Sequence, residues 1–178
     1  MSFHFRPRPG DWLLSNKILE QAEDEIYRNV KPIRDFDVPY LAGYSKDGKR
    51  FYIDHKMPRG FKDGGRFFNT DIPIILHEVV EKSLLEEEHG ILYELAHQIA
   101  LRAEEAAVKG AGMSWTPYNS FCMQQIKRIG TRSAYPNCPK DLDLTPYLDE
   151  KDWSTLKKMS AQGKPLWDGK QKTPEGVS

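Results

Sequence analysis

Between Asp71 and Lys109 two helical patterns meet at a single glycine, Gly90, and this pair constrains the chain more than any other feature. The first pattern runs from Asp71 to about His89. Asp71 is placed to cap it, and Pro73 sits inside the first turn, where a missing N–H costs little. At 3.6 residues per turn, Ile72, Ile74, Leu76, Val79, Val80, Leu84 and Leu85 occupy most of the circumference, which predicts a buried central helix. The second pattern runs from about Ile91 to Lys109 and stops at Gly110 and Gly112. A connection as short as Gly90 predicts that the two helices pack antiparallel, as a helical hairpin.

This apolar pair also concentrates polar chemistry. His77, Glu78 and Glu81 lie on the first helix, and Glu94, His97 and Glu104 on the second. With His77 at zero on a helical wheel, Glu81 falls at about 40° and Glu78 at about 100°. With His97 at zero, Glu104 falls near −20° and Glu94 near +60°, among Tyr93, Leu101 and Val108. Charged groups on faces this apolar need a partner, a shifted pKa or a metal ion.

Around the pair the sequence predicts a mainly helical α+β fold: a single domain over residues 1–162, with one β-hairpin beside the central helical hairpin. Ser15 starts a helix running to about Asn29, with Ile18, Ala22, Ile26 and Val30 as its apolar stripe, and Pro32 ends it. Val38–Tyr44 and Lys49–Ile53 flank Lys46-Asp47-Gly48, the signature of a tight hairpin. Residues 38–109 form the hairpin and helix-pair core. The Gly-rich run Lys62-Asp63-Gly64-Gly65 lacks the Lys-Ser/Thr ending of a phosphate loop and reads as a turn. A third helix starts at Thr116-Pro117 and ends near Gly130, with Trp115, Tyr118, Phe121, Ile126 and Ile129 as its apolar side. An irregular Pro-rich stretch follows, then a short helix from about Glu150 to Ser160. Residues 163–178 read as a mobile tail.

The segment His77-Glu78-Val79-Val80-Glu81 resembles the zincin metallopeptidase signature His-Glu-x-x-His, in which two His one turn apart bind zinc and the intervening Glu activates water. The resemblance extends over residues 38–109, since small zincin-like domains place a hairpin beside that helix. It departs at Glu81, which stands where the signature has its second His; a carboxylate is an acceptable zinc ligand. The resemblance implies His77, Glu81 and His97 as metal ligands, Glu78 as general base, and a metal-dependent hydrolase acting through metal-activated water. A second grammar is the Glu-x-x-His of di-iron carboxylate bundles, matched by Glu94-Leu95-Ala96-His97 and by Glu86-Glu87-Glu88-His89, which keeps Fe2+ as an alternative to Zn2+. Asp54-His55, at the end of the second strand, could supply a ligand or orient one, as could Glu94 and Glu104.

The competing reading is a non-enzymatic interaction or assembly protein of phage or prophage type, binding no metal. There His77 and Glu81 are simply a hydrogen-bonded i,i+4 pair and His97 a satisfied core histidine. Trp167, in a polar C-terminal segment, suits a protein partner. Among 178 residues, 26 Lys and Arg balance 26 Asp and Glu, which argues against a chain that binds nucleic acid by overall charge. Two cysteines, Cys122 and Cys138, are too few for a disulfide framework and have no catalytic signature around them. With no apolar leader and no run long enough for a membrane span, a cytoplasmic protein is expected.

Overall fold

The computed structural model describes residues 25–85, apart from Tyr27, and residues 91–159. The α+β expectation holds: five helices and two small antiparallel hairpins make up the described chain. Most of the expected N-terminal helix, the Gly90 connection with the Glu86–His89 motif, and the tail with Trp167 lie outside the described residues.

The hairpin expected around Lys46-Asp47-Gly48 is present, with strands shorter than the apolar runs that signalled it. β1 (Ala42–Tyr44) pairs with β2 (Phe51–Ile53) in the register Ala42↔Ile53 and Tyr44↔Phe51. The Asp47 carboxylate accepts hydrogen bonds from the Ser45 hydroxyl and the Lys49 N–H, and Gly48 takes the left-handed φ of 67° that closes the turn. The strand does not reach back to Val38 because Tyr40 and Leu41 take left-handed φ values, and the Val38 N–H donates instead to the Asp54 carboxylate, at 2.9 Å.

A second hairpin follows where the sequence reading has only a turn. β3 (Gly60–Asp63) and β4 (Arg66–Asn69) pair around Gly64 and Gly65, both left-handed, and stack Phe61 on Phe121 of the third helix. Four-residue strands framed by Gly and Pro carry too little alternation to register in a pattern search. Gly60 is required here by close approach: a Cβ would lie 2.0 Å from the Phe68 carbonyl oxygen.

α1 (Asp71–Leu85) enters differently from the expectation that Asp71 caps it. The Thr70 carbonyl accepts the first helical bond, from the Ile74 N–H, so Asp71 is already inside the first turn. Its carboxylate is buried and paired with Arg34, with Arg59 at 3.6 Å. α2 (Tyr93–Gly110) lies against α1, and their cross-links run in opposite senses, His77 to Glu104 and Glu81 to His97, as an antiparallel pair requires. α3 (Trp115–Gly130) packs on α2 and on the aromatic face of the second hairpin.

A short helix, α4 (Thr145–Asp149), forms in the stretch expected to be irregular, and the helix expected over 150–160 follows as α5 (Trp153–Met159). Lys151, at a φ of 55°, breaks the run, and the Asp152 carboxylate caps the restart by accepting from the Thr155 N–H. The loop before α4 is tied to the edge of β1, the Asp143 N–H donating to the Tyr44 carbonyl at 2.8 Å. The core is thus shared by both strands of the first hairpin (Tyr44, Tyr52, Ile53), the central helix (Ile74, Ile75), α3 (Tyr118, Ile129) and the C-terminal segment (Leu142, Leu156). Among the described residues no helix is long and apolar enough to cross a membrane.

Candidate metal centre

α1 and α2 bring three donor atoms to one point. His77 Nε2 lies 3.5 Å from Glu81 Oε2 and 3.2 Å from His97 Nδ1, and His97 Nδ1 lies 2.9 Å from Glu81 Oε2. The i,i+4 spacing places His77 and Glu81 on one face of α1, and His97 reaches between them from the facing helix. Ligands about 2.1 Å from a tetrahedral zinc ion are themselves about 3.4 Å apart. A zinc ion about 2.1 Å from all three donors would stand about 1 Å above their plane. The fourth position would then be free for water.

Behind this triangle a chain of hydrogen bonds sets the His77 ring. Its Nδ1 is 2.9 Å from Glu104 Oε2, and the other Glu104 oxygen accepts from the Tyr118 hydroxyl. With Nδ1–H donated to Glu104, the Nε2 lone pair of a neutral His77 faces the triangle. This carboxylate–histidine relay commonly orients metal ligands. Tyr44 does the same for Glu81, donating to Oε1 at 3.2 Å and leaving Oε2 toward the two imidazoles. Neither tyrosine stood out in the sequence; both occupy ordinary core positions, and nothing in their spacing separates a hydroxyl that reaches a carboxylate from one that does not.

Burial and charge act strongly here. Burial alone would lower the pKa of His77, but its bonds to Glu104 and Glu81 outweigh that and push it up to about 10. Burial would raise Glu81, and its bonds to His77 and His97 bring it down to about 2. In the metal-free site a proton is therefore held on His77 between two carboxylates. Glu78 moves the other way: burial, then the charge of Glu81, raise it to about 8 against the pull of His77. Its half-buried side chain borders a cavity of about 490 Å3, and it makes no hydrogen bond to the described residues.

The remaining sequence candidates separate. Glu104 joins the cluster as the partner of His77. Glu94 is exposed and makes no bond to it, so the Glu-x-x-His reading of residues 94–97 finds only its histidine at the site. Asp54 and His55 belong to another network: the buried Asp54 carboxylate accepts both Arg132 Nη1 (2.8 Å) and Nη2 (2.6 Å), along with the N–H groups of Val38 and Lys56. Asp37 and His55 flank it, with Arg132 also 3.0 Å from Asp37. The Arg132 guanidinium already supplies the cation that this acidic group would otherwise attract. Cys122 borders the cavity, but burial and then the Glu104 charge push its thiol up to about 12, so it stays protonated near neutral pH.

Comparisons with protein-family models, curated proteins and solved structures found no match.

Proposed function

We propose that His77, Glu81 and His97 bind a divalent metal ion, Zn2+ in the first instance, and that the protein is a metal-dependent hydrolase of zincin-like chemistry. The observation that carries the reading is the donor triangle, with sides of 2.9, 3.2 and 3.5 Å and one open side. Two nitrogens and one carboxylate oxygen form a donor set that zinc accepts in catalytic sites.

In this reading the metal polarises a water molecule and lowers its pKa. Glu104 keeps the His77 tautomer that leaves Nε2 free, and Tyr44 keeps Glu81 turned toward the metal. Glu78, next to His77 in the chain and bordering the cavity without a hydrogen-bond partner among the described residues, takes the proton from that water as its oxygen attacks. Its raised pKa suits a group that must accept a proton and release it again near neutrality. Cleavage of a peptide bond in particular is what the zincin resemblance implies.

One observation favours a different reading. Without a metal the same atoms satisfy one another, with Glu81 bonded to His97 and His77 held between two carboxylates, as a purely structural cluster would be. Metal analysis of protein purified without a metal-binding tag separates the two. Stoichiometric zinc in the wild type, lost in His77→Ala and His97→Ala, supports the site. Absence of bound metal together with no affinity for added Zn2+ or Fe2+ refutes it. Glu78→Gln should then keep both metal and fold while hydrolysis falls by a factor of about 100 or more. An unfolded Glu78→Gln protein would make Glu78 a structural partner rather than the base.

A further inference from the structure

The cavity beside the triangle is bordered by more acidic than basic groups. Five carboxylates border it, those of Glu78, Glu81, Glu104, Asp143 and Glu150, and no Lys or Arg does so among the described residues. Lys82 lies 3.9 Å from Asp143 and over the Tyr44 ring at 5.5 Å, so it offsets the Asp143 charge. His77 in the metal-free site, or a zinc ion in the triangle, would offset Glu81 and Glu104, and Lys82 faces Asp143; the exposed Glu150 makes no ion pair among the described residues.

The walls near the rim are aromatic. Tyr40 stacks on Tyr147 with ring centroids 5.5 Å apart, and Tyr93 lies 5.8 Å from the His97 ring. All three tyrosines line the cavity. The Tyr40 hydroxyl is engaged by Asp152 and that of Tyr147 by the Pro39 carbonyl, so these hydroxyls anchor the rings. The charges of Glu81, Glu150 and Glu78 all act on Tyr93, which places this ring in acidic surroundings.

The backbone that presents Tyr40 is strained. Tyr40 and Leu41 are consecutive non-glycine residues with left-handed φ values of 57° and 83°. Such conformations persist only where surrounding contacts hold them, and they cluster at ligand sites. Here they hold Tyr40 at the mouth, 42% exposed, while Leu41 is buried at 5%.

We propose that this cavity takes a ligand bearing an organic cation, a protonated or quaternary amine on an apolar body, with its cationic head against the rings of Tyr40 and Tyr93 and the rim carboxylate of Glu150. An aromatic face attracts a cation through its quadrupole, and a nearby carboxylate adds to that attraction. The apolar body lies deeper, along Ile74, Leu101 and Ile126, which line the cavity with the reacting groups. The cation seat rests on the cavity alone; only the placement of the ligand's other end toward the triangle rests on the hydrolase reading.

The test is calorimetric titration of the full chain, metal-free and zinc-saturated, with three probes of matched size: 2-phenylethylamine, 2-phenylethanol and phenylacetate. The amine is expected to bind about tenfold more tightly than the alcohol in both forms, with phenylacetate weakest. Glu150→Gln, at an exposed position, and Tyr40→Ala should each weaken the amine about threefold or more and leave the alcohol unchanged. Equal affinities, a preference for phenylacetate, or no binding of any probe would overturn the proposal. So would displacement of the amine by zinc, because the amine would then have occupied the triangle. If zinc fails to bind while the amine preference holds, the hydrolase reading falls and the cation seat stands.

Discussion

Replacing His97 by alanine removes one of the three converging donors with little risk to the fold, because its side chain is 38% exposed at the edge of the cluster. A four-ligand structural zinc site provides about 10–16 kcal/mol, or about 3 kcal/mol per ligand. Losing one protein ligand should therefore weaken zinc by about 100-fold. Linkage turns this into a thermal measurement. With free zinc at 100 times the wild-type Kd, binding stabilises the fold by about 2.7 kcal/mol, whereas a variant bound 100-fold more weakly gains about 0.4 kcal/mol. For a domain of this size that is a rise of about 5–10 °C in Tm against about 1 °C. Thermal unfolding with and without buffered zinc, beside competition with a chromophoric chelator, gives both quantities. Equal zinc-induced shifts in wild type and His97→Ala, or chelator competition giving affinities within twofold, would refute the ligand assignment.

In the metal-free protein, stability should fall as pH rises from 6 to 9. His77, raised from 6.5 to about 10, contributes stability that is complete below 6.5 and is lost as pH rises through 10; Glu78, raised from 4.5 to about 8, favours the folded state less as pH rises over that interval. Urea unfolding in the presence of a chelator measures this, and Glu78→Gln should flatten the part below pH 8; rising stability over the same range would contradict the cluster's electrostatics. Arg132→Ala should destabilise the protein by about 3 kcal/mol, since it strands the fully buried Asp54 carboxylate with only two backbone N–H donors. Measured in an Asp54→Asn background, the same substitution should cost less than half as much, and an equal cost in both backgrounds would show that the ion pair is not what Arg132 contributes.

The sequence by itself determined the central helical hairpin and the residues to examine within it. Helical periodicity is a local property: the spacing of Ile74, His77 and Glu81 follows from 3.6 residues per turn in any context, and an i,i+4 pair on a buried face announces itself. His97 could be added because so short a link at Gly90 leaves an antiparallel partner few places to go. The Asp47-Gly48 turn was legible for the same reason, since its chemistry is contained in four residues.

Tertiary structure decided what could not be local. Glu104 had the periodicity of a facing residue, but that it accepts from His77 while Glu94 turns to solvent depends on the rotation of α2 about its own axis, which packing against α1 and α3 sets. Asp54 read equally well as a metal ligand or as a strand-end residue until Arg132, 78 positions along the chain, claimed it. Tyr44 and Tyr118 became partners of Glu81 and Glu104 because two otherwise ordinary core rings end within reach of buried carboxylates. The acidic, tyrosine-walled cavity is assembled from the first hairpin, all three long helices and the α4 segment, so no stretch of sequence contains it. Spacing along a helix identifies which groups share a face; only the packing of helices against one another determines which atoms meet across it.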